Sequence, residues 1–268
     1  MDLRVGAKMV GKVEEYIMRR IEDEKAIHMT LIDPEKVTPE LAVLISRESE
    51  ASGSSAIMIG GTTLASVELL DSITKAVKNS VSIPVILFPN NVTGISGYAD
   101  AIWFMSLLNS ADPYFIVGAQ TLAAPLIKKL GLEAIPLGYI IVGEGGSAGV
   151  IGKACPIPYN KPELAAAHAL AAQFLGMRFV YLEAGSGASR PVPPEMIKMT
   201  REAVDVKIIV GGGIKTGVQA ERAVRAGADI VVTSTVLENS SGTEEIRAKI
   251  NEIIEGIKRG AKSRFKGV

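Results

Sequence analysis

Two carboxylates, Asp33 and Glu183, each close a short run of apolar, β-forming residues and open onto a turn. Glu183 ends the run Phe179-Val180-Tyr181-Leu182 and is followed by Ala184-Gly185-Ser186-Gly187-Ala188-Ser189. A loop of such small residues leaves backbone N–H groups open to an approaching anion. An acid beside a phosphate cradle suits chemistry on a phosphorylated substrate that also offers a hydroxyl. A tight glycine turn with a solvated glutamate is the plainer alternative for this stretch alone. Two later strand ends repeat the pattern. Lys207–Val210 runs into Gly211-Gly212-Gly213-Ile214, and Ile230–Val232 runs into Thr233-Ser234-Thr235-Val236. In (β/α)₈ barrels the last loops commonly build a phosphate site.

Asp33 ends Ala26–Ile32 and begins Asp33-Pro34-Glu35-Lys36. A turn-starting Asp-Pro is the ordinary reading. At a barrel strand's C-terminal end, however, a carboxylate faces the chemistry. The next strand, Ala56–Ile59, ends in Gly60-Gly61-Thr62-Thr63. Asp33 and Thr62 are hard oxygen donors suited to Mg²⁺, which usually takes one or two carboxylates and fills its shell with water and phosphate oxygens. A cradle for one phosphate and a Mg²⁺ carboxylate together suit the joining of two phosphorylated substrates, one of which leaves as diphosphate.

Strands and helices must alternate to bring these ends together, and they do so along residues 1–268 without a linker-like break, so one domain is expected. The expected architecture is α/β, a modified (β/α)₈ barrel with an extra N-terminal helix. Val10, Val13, Ile17 and Ile21 give that helix one apolar stripe, suited to capping one barrel end. Pro89–Tyr98 holds Pro, two Asn and two Gly between strands Pro84–Phe88 and Ala101–Met105, too little for a crossover helix. The third helix should therefore be missing or short, leaving a gap in the outer ring. Glu133–Val142 reads as a long fifth strand, and Gly143–Pro158 as a loop or lid.

Composition removes several classes. Lys plus Arg and Asp plus Glu both total 29, so no basic excess argues for nucleic acid. The one cysteine, Cys155, excludes an intrachain disulfide. His28 and His168 lack a metal-ligand partner at helical spacing, and His168 reads as structural. No apolar run reaches membrane-span length and no signal peptide is expected at the N-terminus, so a cytoplasmic protein is expected. The basic segment Lys258–Lys266 suits a solvated terminus or weak attraction to anionic lipid.

Five stretches carry a resemblance: His28–Pro34 (HMTLIDP), Ile59–Thr62 (IGGT), Trp103–Ser110 (WFMSLLNS), Tyr181–Ala188 (YLEAGSGA) and Val210–Ile214 (VGGGI). In this order the chain resembles the geranylgeranylglyceryl phosphate synthases of archaeal lipid synthesis and their heptaprenylglyceryl phosphate synthase relatives. The long fifth strand and its loop look more like the second, larger-assembly group. The resemblance implies a Mg²⁺-dependent prenyltransferase. The 3-hydroxyl of sn-glycerol 1-phosphate attacks C1 of geranylgeranyl diphosphate, and diphosphate departs. It implies that Asp33 and Thr62 hold Mg²⁺ with the diphosphate. Asp33 and Glu183 would be the catalytic residues. Tyr181, Leu182, Glu183, Ala184, Gly185, Ser186, Gly187 and Ala188 would surround the glycerol phosphate, with Gly212, Gly213, Ser234 and Thr235 on its phosphate. The prenyl tail is expected in the gap left by the third helix, with Trp103 and Tyr98 lining or limiting it. A homo-oligomer is expected, a hexamer ahead of a dimer, with Tyr139 as an exposed aromatic anchor. Membrane contact should be transient at most. The rivals are a phosphosugar isomerase or aldolase, for which no strand-end lysine is present, and a binding barrel that has lost catalysis.

Overall fold

The computed structural model describes residues 10–63, 66–234 and 242–265. Eight parallel strands close into a barrel in chain order, with the eighth pairing the first. They are β1 (Ile27–Ile32), β2 (Ala56–Ile59), β3 (Val85–Leu87), β4 (Ala101–Leu107), β5 (Glu133–Ile141), β6 (Phe179–Glu183), β7 (Lys207–Gly211) and β8 (Ile230–Thr233). β2, β3, β6 and β8 are buried along their whole length, as parallel strands covered on both faces must be. The expected (β/α)₈ barrel is present.

The helices are α1 (Lys12–Glu24), α2 (Pro39–Ser52), α3 (Val67–Lys78), α4 (Ala119–Leu130), α5 (Gly146–Ile151), α6 (Pro162–Phe174), α7 (Pro194–Ala203), α8 (Gly217–Ala226) and α9 (Thr243–Phe265). Local chemistry sets their starts. Thr38 caps α2 through the Leu41 N–H with Pro39 at the first position, Ser66 caps α3, and Thr216 with Gln219 forms a capping box on α8.

Helix α1 is the predicted plug. Its Ile17 and Ile21 pack with Met29, Met58, Trp103 and Phe179 inside the barrel. The Glu133 carboxylate accepts the Val13 and Glu14 N–H groups at 2.8 Å each, satisfying donors that begin the helix. Buried Glu14 is in turn ion-paired with Arg178 at the start of β6. Two further apolar layers lie between the barrel and its helices.

No helix joins β3 to β4. The connection is held by side chains instead. Asp100 accepts the Val85 N–H at 2.8 Å and pairs with Lys78 at 2.7 Å, and Ser96 donates to Asp71 at 2.5 Å. The gap predicted from Pro89–Tyr98 is real. The loop after β5 is not wholly irregular, because it carries the short α5. Asn109, at the end of β4, anchors that segment: its amide donates to Ile141 O at 2.8 Å and Cys155 O at 2.9 Å, and its oxygen accepts the Ile141 N–H at 3.0 Å.

Candidate active site

Side chains alternate along β6, and the alternation sorts the predicted site. Phe179 and Tyr181 point into the barrel, with Glu183 on the same side, while Val180 and Leu182 point out towards the helices. Glu183 is 5% exposed. Its Oε1 accepts the Gly185 N–H at 2.7 Å, and the hydroxyls of Tyr181 and Tyr139 both donate to the carboxylate. Burial pushes the Glu183 carboxyl up to about 7, and these three hydrogen bonds, which favour the charged form, only partly oppose it. Phe88 packs on both tyrosine rings, at 5.4 and 5.5 Å between centroids. The acid therefore stands in an aromatic, largely dry well.

Tyr139 corrects an expectation. It is 6% exposed and belongs to the barrel interior, so it is no surface anchor. The β5–β6 register sets it opposite Tyr181, one turn of the pleat below Glu183. The same alternation removes Leu182, Ala184 and Ala188 from the cavity. All three sit in the layer between barrel and helices. The Ala184 N–H donates to Gly211 O at 3.2 Å and the Ala188 N–H to Gly185 O at 3.1 Å, so they shape the loop from behind. Gly187 stands between, at a φ of 74°.

The neighbouring loop closes tightly on the acid. Gly212 has a φ of 79°, and a Cβ there would lie 2.4 Å from Glu183 Oε1. Only glycine allows both the backbone conformation and the approach. Gly213 follows in the same left-handed region, with its backbone against Arg190. Ser186 and Ser234 share the lining of one cavity with Glu183, Tyr139, Asp33 and Thr62. Thr235 lies outside the described residues.

Asp33 stands across this mouth. Its Oδ1 accepts the Glu35 N–H at 3.1 Å, and Lys36 Nζ is 3.1 Å from Oδ2. A Cβ at Gly61 would fall 2.1 Å from Asp33 Oδ1, so glycine here lets the β2 loop lie against the carboxylate as it stands. Thr62 follows, half-buried, its carbonyl accepting the Asn90 amide at 3.0 Å. One carboxylate and one hydroxyl, all oxygen, fit a hydrated Mg²⁺ that also carries substrate phosphate.

The cavity, about 270 Å³, continues from the mouth into the gap between β3 and β4, where Val92, Ile95, Ile102, Phe104, Ala123 and Ile127 form an apolar wall. Trp103 borders it from inside the barrel, fully buried and packed edge-on against Phe179 at 5.2 Å. Tyr98 does not border it. That ring is 45% exposed under Lys75, so the expectation for Tyr98 fails. Lys36 and Phe88 were not singled out in the sequence, yet both line the cavity. Their only sequence signal is position, just past a strand end.

The chain also has known relatives. A 55% identical relative, the geranylgeranylglyceryl phosphate synthase of Thermococcus gammatolerans, aligns over 249 residues, 93% of this chain and 98% of that protein. The protein of the same name from Methanothermobacter marburgensis is 54% identical over 92% of this chain and 98% of its own. The crystal structure of (S)-3-O-geranylgeranylglyceryl phosphate synthase from Thermoplasma acidophilum, in complex with its substrate sn-glycerol-1-phosphate, superposes with a TM-score of 0.88 at 37% identity, covering 93% of this chain and 99% of that one. The model of the PcrB family matches residues 18–257. With that match spanning nearly all of the barrel, and relatives this similar over their whole length, the chain belongs to the PcrB family.

Proposed function

We infer that this protein is a prenyltransferase, a geranylgeranylglyceryl phosphate synthase that joins sn-glycerol 1-phosphate through its 3-hydroxyl to geranylgeranyl diphosphate. The observation that carries the reading is one cavity with two ends of opposite character. A buried acid and small polar loops lie at one end, and an apolar groove opens at the other. A sugar-phosphate isomerase or aldolase has no use for that groove.

The roles follow from position. Ser186, Gly212, Gly213 and Ser234 hold the phosphate of the acceptor, and the resemblance adds Thr235 to them. Tyr181 and Tyr139 hold Glu183 so that its free lone pairs meet the 3-hydroxyl. As the new C–O bond forms at C1 of the donor and the bond from C1 to the diphosphate oxygen breaks, the hydroxyl proton passes to Glu183. Asp33 and Thr62 would hold Mg²⁺, which when bound would supply positive charge for the leaving diphosphate. Lys36, paired with Asp33, puts a positive charge at the same end of the cavity. The C20 tail lies along Ile102, Phe104 and Ile127, where burial at about 0.8 kcal/mol per CH₂ supplies most of the donor affinity. The test is transfer of labelled sn-glycerol 1-phosphate into an organic phase with Mg²⁺ and C15, C20 or C35 donors. No transfer with any donor returns the phosphosugar barrel to the front.

Trp103 bounds the groove on the barrel side. Trp103→Ala should therefore shift the relative kcat/KM among C15, C20 and longer donors by about tenfold, since a few added methylenes are each worth up to about 0.8 kcal/mol. Unchanged relative rates would remove Trp103 as a limit. A homo-oligomer is supported by the outer face of α6, and the resemblance puts a hexamer ahead of a dimer. There Leu164, Ala167, Ala171 and Phe174 run at helical spacing, and Phe174 is 78% exposed. Phe174→Glu should lower the mass in solution measured by light scattering. A mass equal to wild type would take that face out of the assembly. No described helix is long and apolar enough to cross a membrane. A cytoplasmic enzyme meeting lipid only to take donor and release product fits this chain.

A further inference from the structure

The roles above leave a buried polar cluster without a task. His28 and Thr30 on β1 alternate with Ile27 and Met29, which point into the barrel, and so face the helix layer. That layer is mostly apolar, yet here it gathers His28, Thr30, Ser46, Ser49, Ser54 and Thr233, all buried. His28 Nδ1 lies 2.7 Å from Ser54 Oγ and Nε2 lies 2.8 Å from Thr233 Oγ1. Thr30 donates to Ser49 at 2.8 Å and stands 3.5 Å from Ser54. Thr233 ends β8, and the next residue, Ser234, lines the same cavity as Glu183.

We propose that His28 is a positioning residue for the acceptor's phosphate: through Thr233 it fixes the β8 loop that carries Ser234. The inference rests on the reading that Ser234 holds phosphate. A buried polar cluster contributes little net stability compared with apolar packing, because each hydrogen bond replaces one to water. What it supplies is a single arrangement. Burial lowers the His28 ring to about 3, so it stays neutral and one nitrogen donates while the other accepts. Both hydroxyls are then pinned, one as donor and one as acceptor. Thr233, held on its side chain by Nε2 and on its backbone by pairing with Thr30, delivers Ser234 to one place.

The two ring nitrogens can be separated by substitution. Asn carries its polar atoms near the position of Nδ1 and can reach Ser54 but not Thr233. Gln reaches the position of Nε2 and keeps Thr233. Thr233→Val keeps the shape and removes only the hydroxyl. Titration calorimetry with sn-glycerol 1-phosphate, with steady-state kinetics alongside, reads the effect. His28→Asn and Thr233→Val should each weaken acceptor binding about tenfold, as small displacements of a positioned group do. The KM for the prenyl donor should stay within twofold, and His28→Gln should restore acceptor binding to within threefold. Combining His28→Asn with Thr233→Val should add nothing further. If Thr233→Val binds acceptor as wild type does, or if the variants lose only melting temperature, His28 is structural and the proposal falls. Thr233→Val decides the matter even if the His28 variants do not fold. Wild-type protein that binds no sn-glycerol 1-phosphate would overturn the phosphate reading itself, and this inference with it.

Discussion

Glu183→Gln should lower kcat/KM for sn-glycerol 1-phosphate by a factor of about 10² to 10⁴, the usual contribution of a positioned general base. The donor KM should change little, because Glu183 lies at the acceptor end of the cavity. Glutamine keeps the size and can still accept the Gly185 N–H, so lost chemistry is read with little lost shape. The pH profile gives a second readout. With the carboxyl at about 7, wild-type kcat/KM should climb towards neutral pH and level off above it. The variant's residual rate should lack that limb. Stability moves the other way. Folded Glu183 holds its proton up to about 7, whereas an ordinary carboxyl releases it near 4.5. Across that window the folded state binds more protons than the unfolded state, so stability falls as pH rises, by about 3 kcal/mol in all. Glu183→Gln should therefore melt higher than wild type at pH 8 and about the same at pH 4. A variant that keeps full transfer activity would remove the base while leaving the reaction standing.

Asp33→Ala should reduce transfer by about 10³ or more, through the other substrate. The carboxylate is the one strong Mg²⁺ ligand proposed at this end, and loss of a ligand also costs charge neutralisation on the departing diphosphate. The signature is a kinetic split opposite to that of Glu183. Donor kcat/KM collapses, and Mn²⁺ binding in the presence of diphosphate, followed by paramagnetic resonance, weakens by at least tenfold. Acceptor binding measured alone stays near wild type. Asp33→Asn keeps the hydrogen bond from the Glu35 N–H, so it tests charge apart from turn geometry. Metal affinity unchanged in both variants would move the cation elsewhere.

Much of this was legible in the chain itself. Asp33 and Glu183 each follow an apolar run and precede a turn, and in a parallel barrel all such ends meet on one face. The missing helix could be read from Pro89, Asn90, Asn91, Gly94 and Gly97, because local chemistry alone forbids a helix there. The apolar stripe of α1 likewise announced a plug, and Ile17 and Ile21 lie where it put them. These are local statements, decided by propensity, capping and periodicity.

Which face of a strand looks inward is not local. Both faces of a parallel barrel strand are buried, so the sequence pattern of β5 or β6 does not distinguish them. Tyr139 could be taken for a surface residue, and Leu182 for a neighbour of the substrate, until closure of the barrel set the register. Tyr139 then fell beside Tyr181 below Glu183, and Leu182 fell among the helices. Glu183's proton affinity is of the same kind, since it depends on burial by residues from several strands. So is the pairing of His28 with Thr233, made across 205 positions by the one contact that turns eight strands into a ring. The sequence by itself determined where the chain could turn, cap and bind. Tertiary structure decided which side chains see each other, because only closure brings distant strand ends within hydrogen-bonding reach.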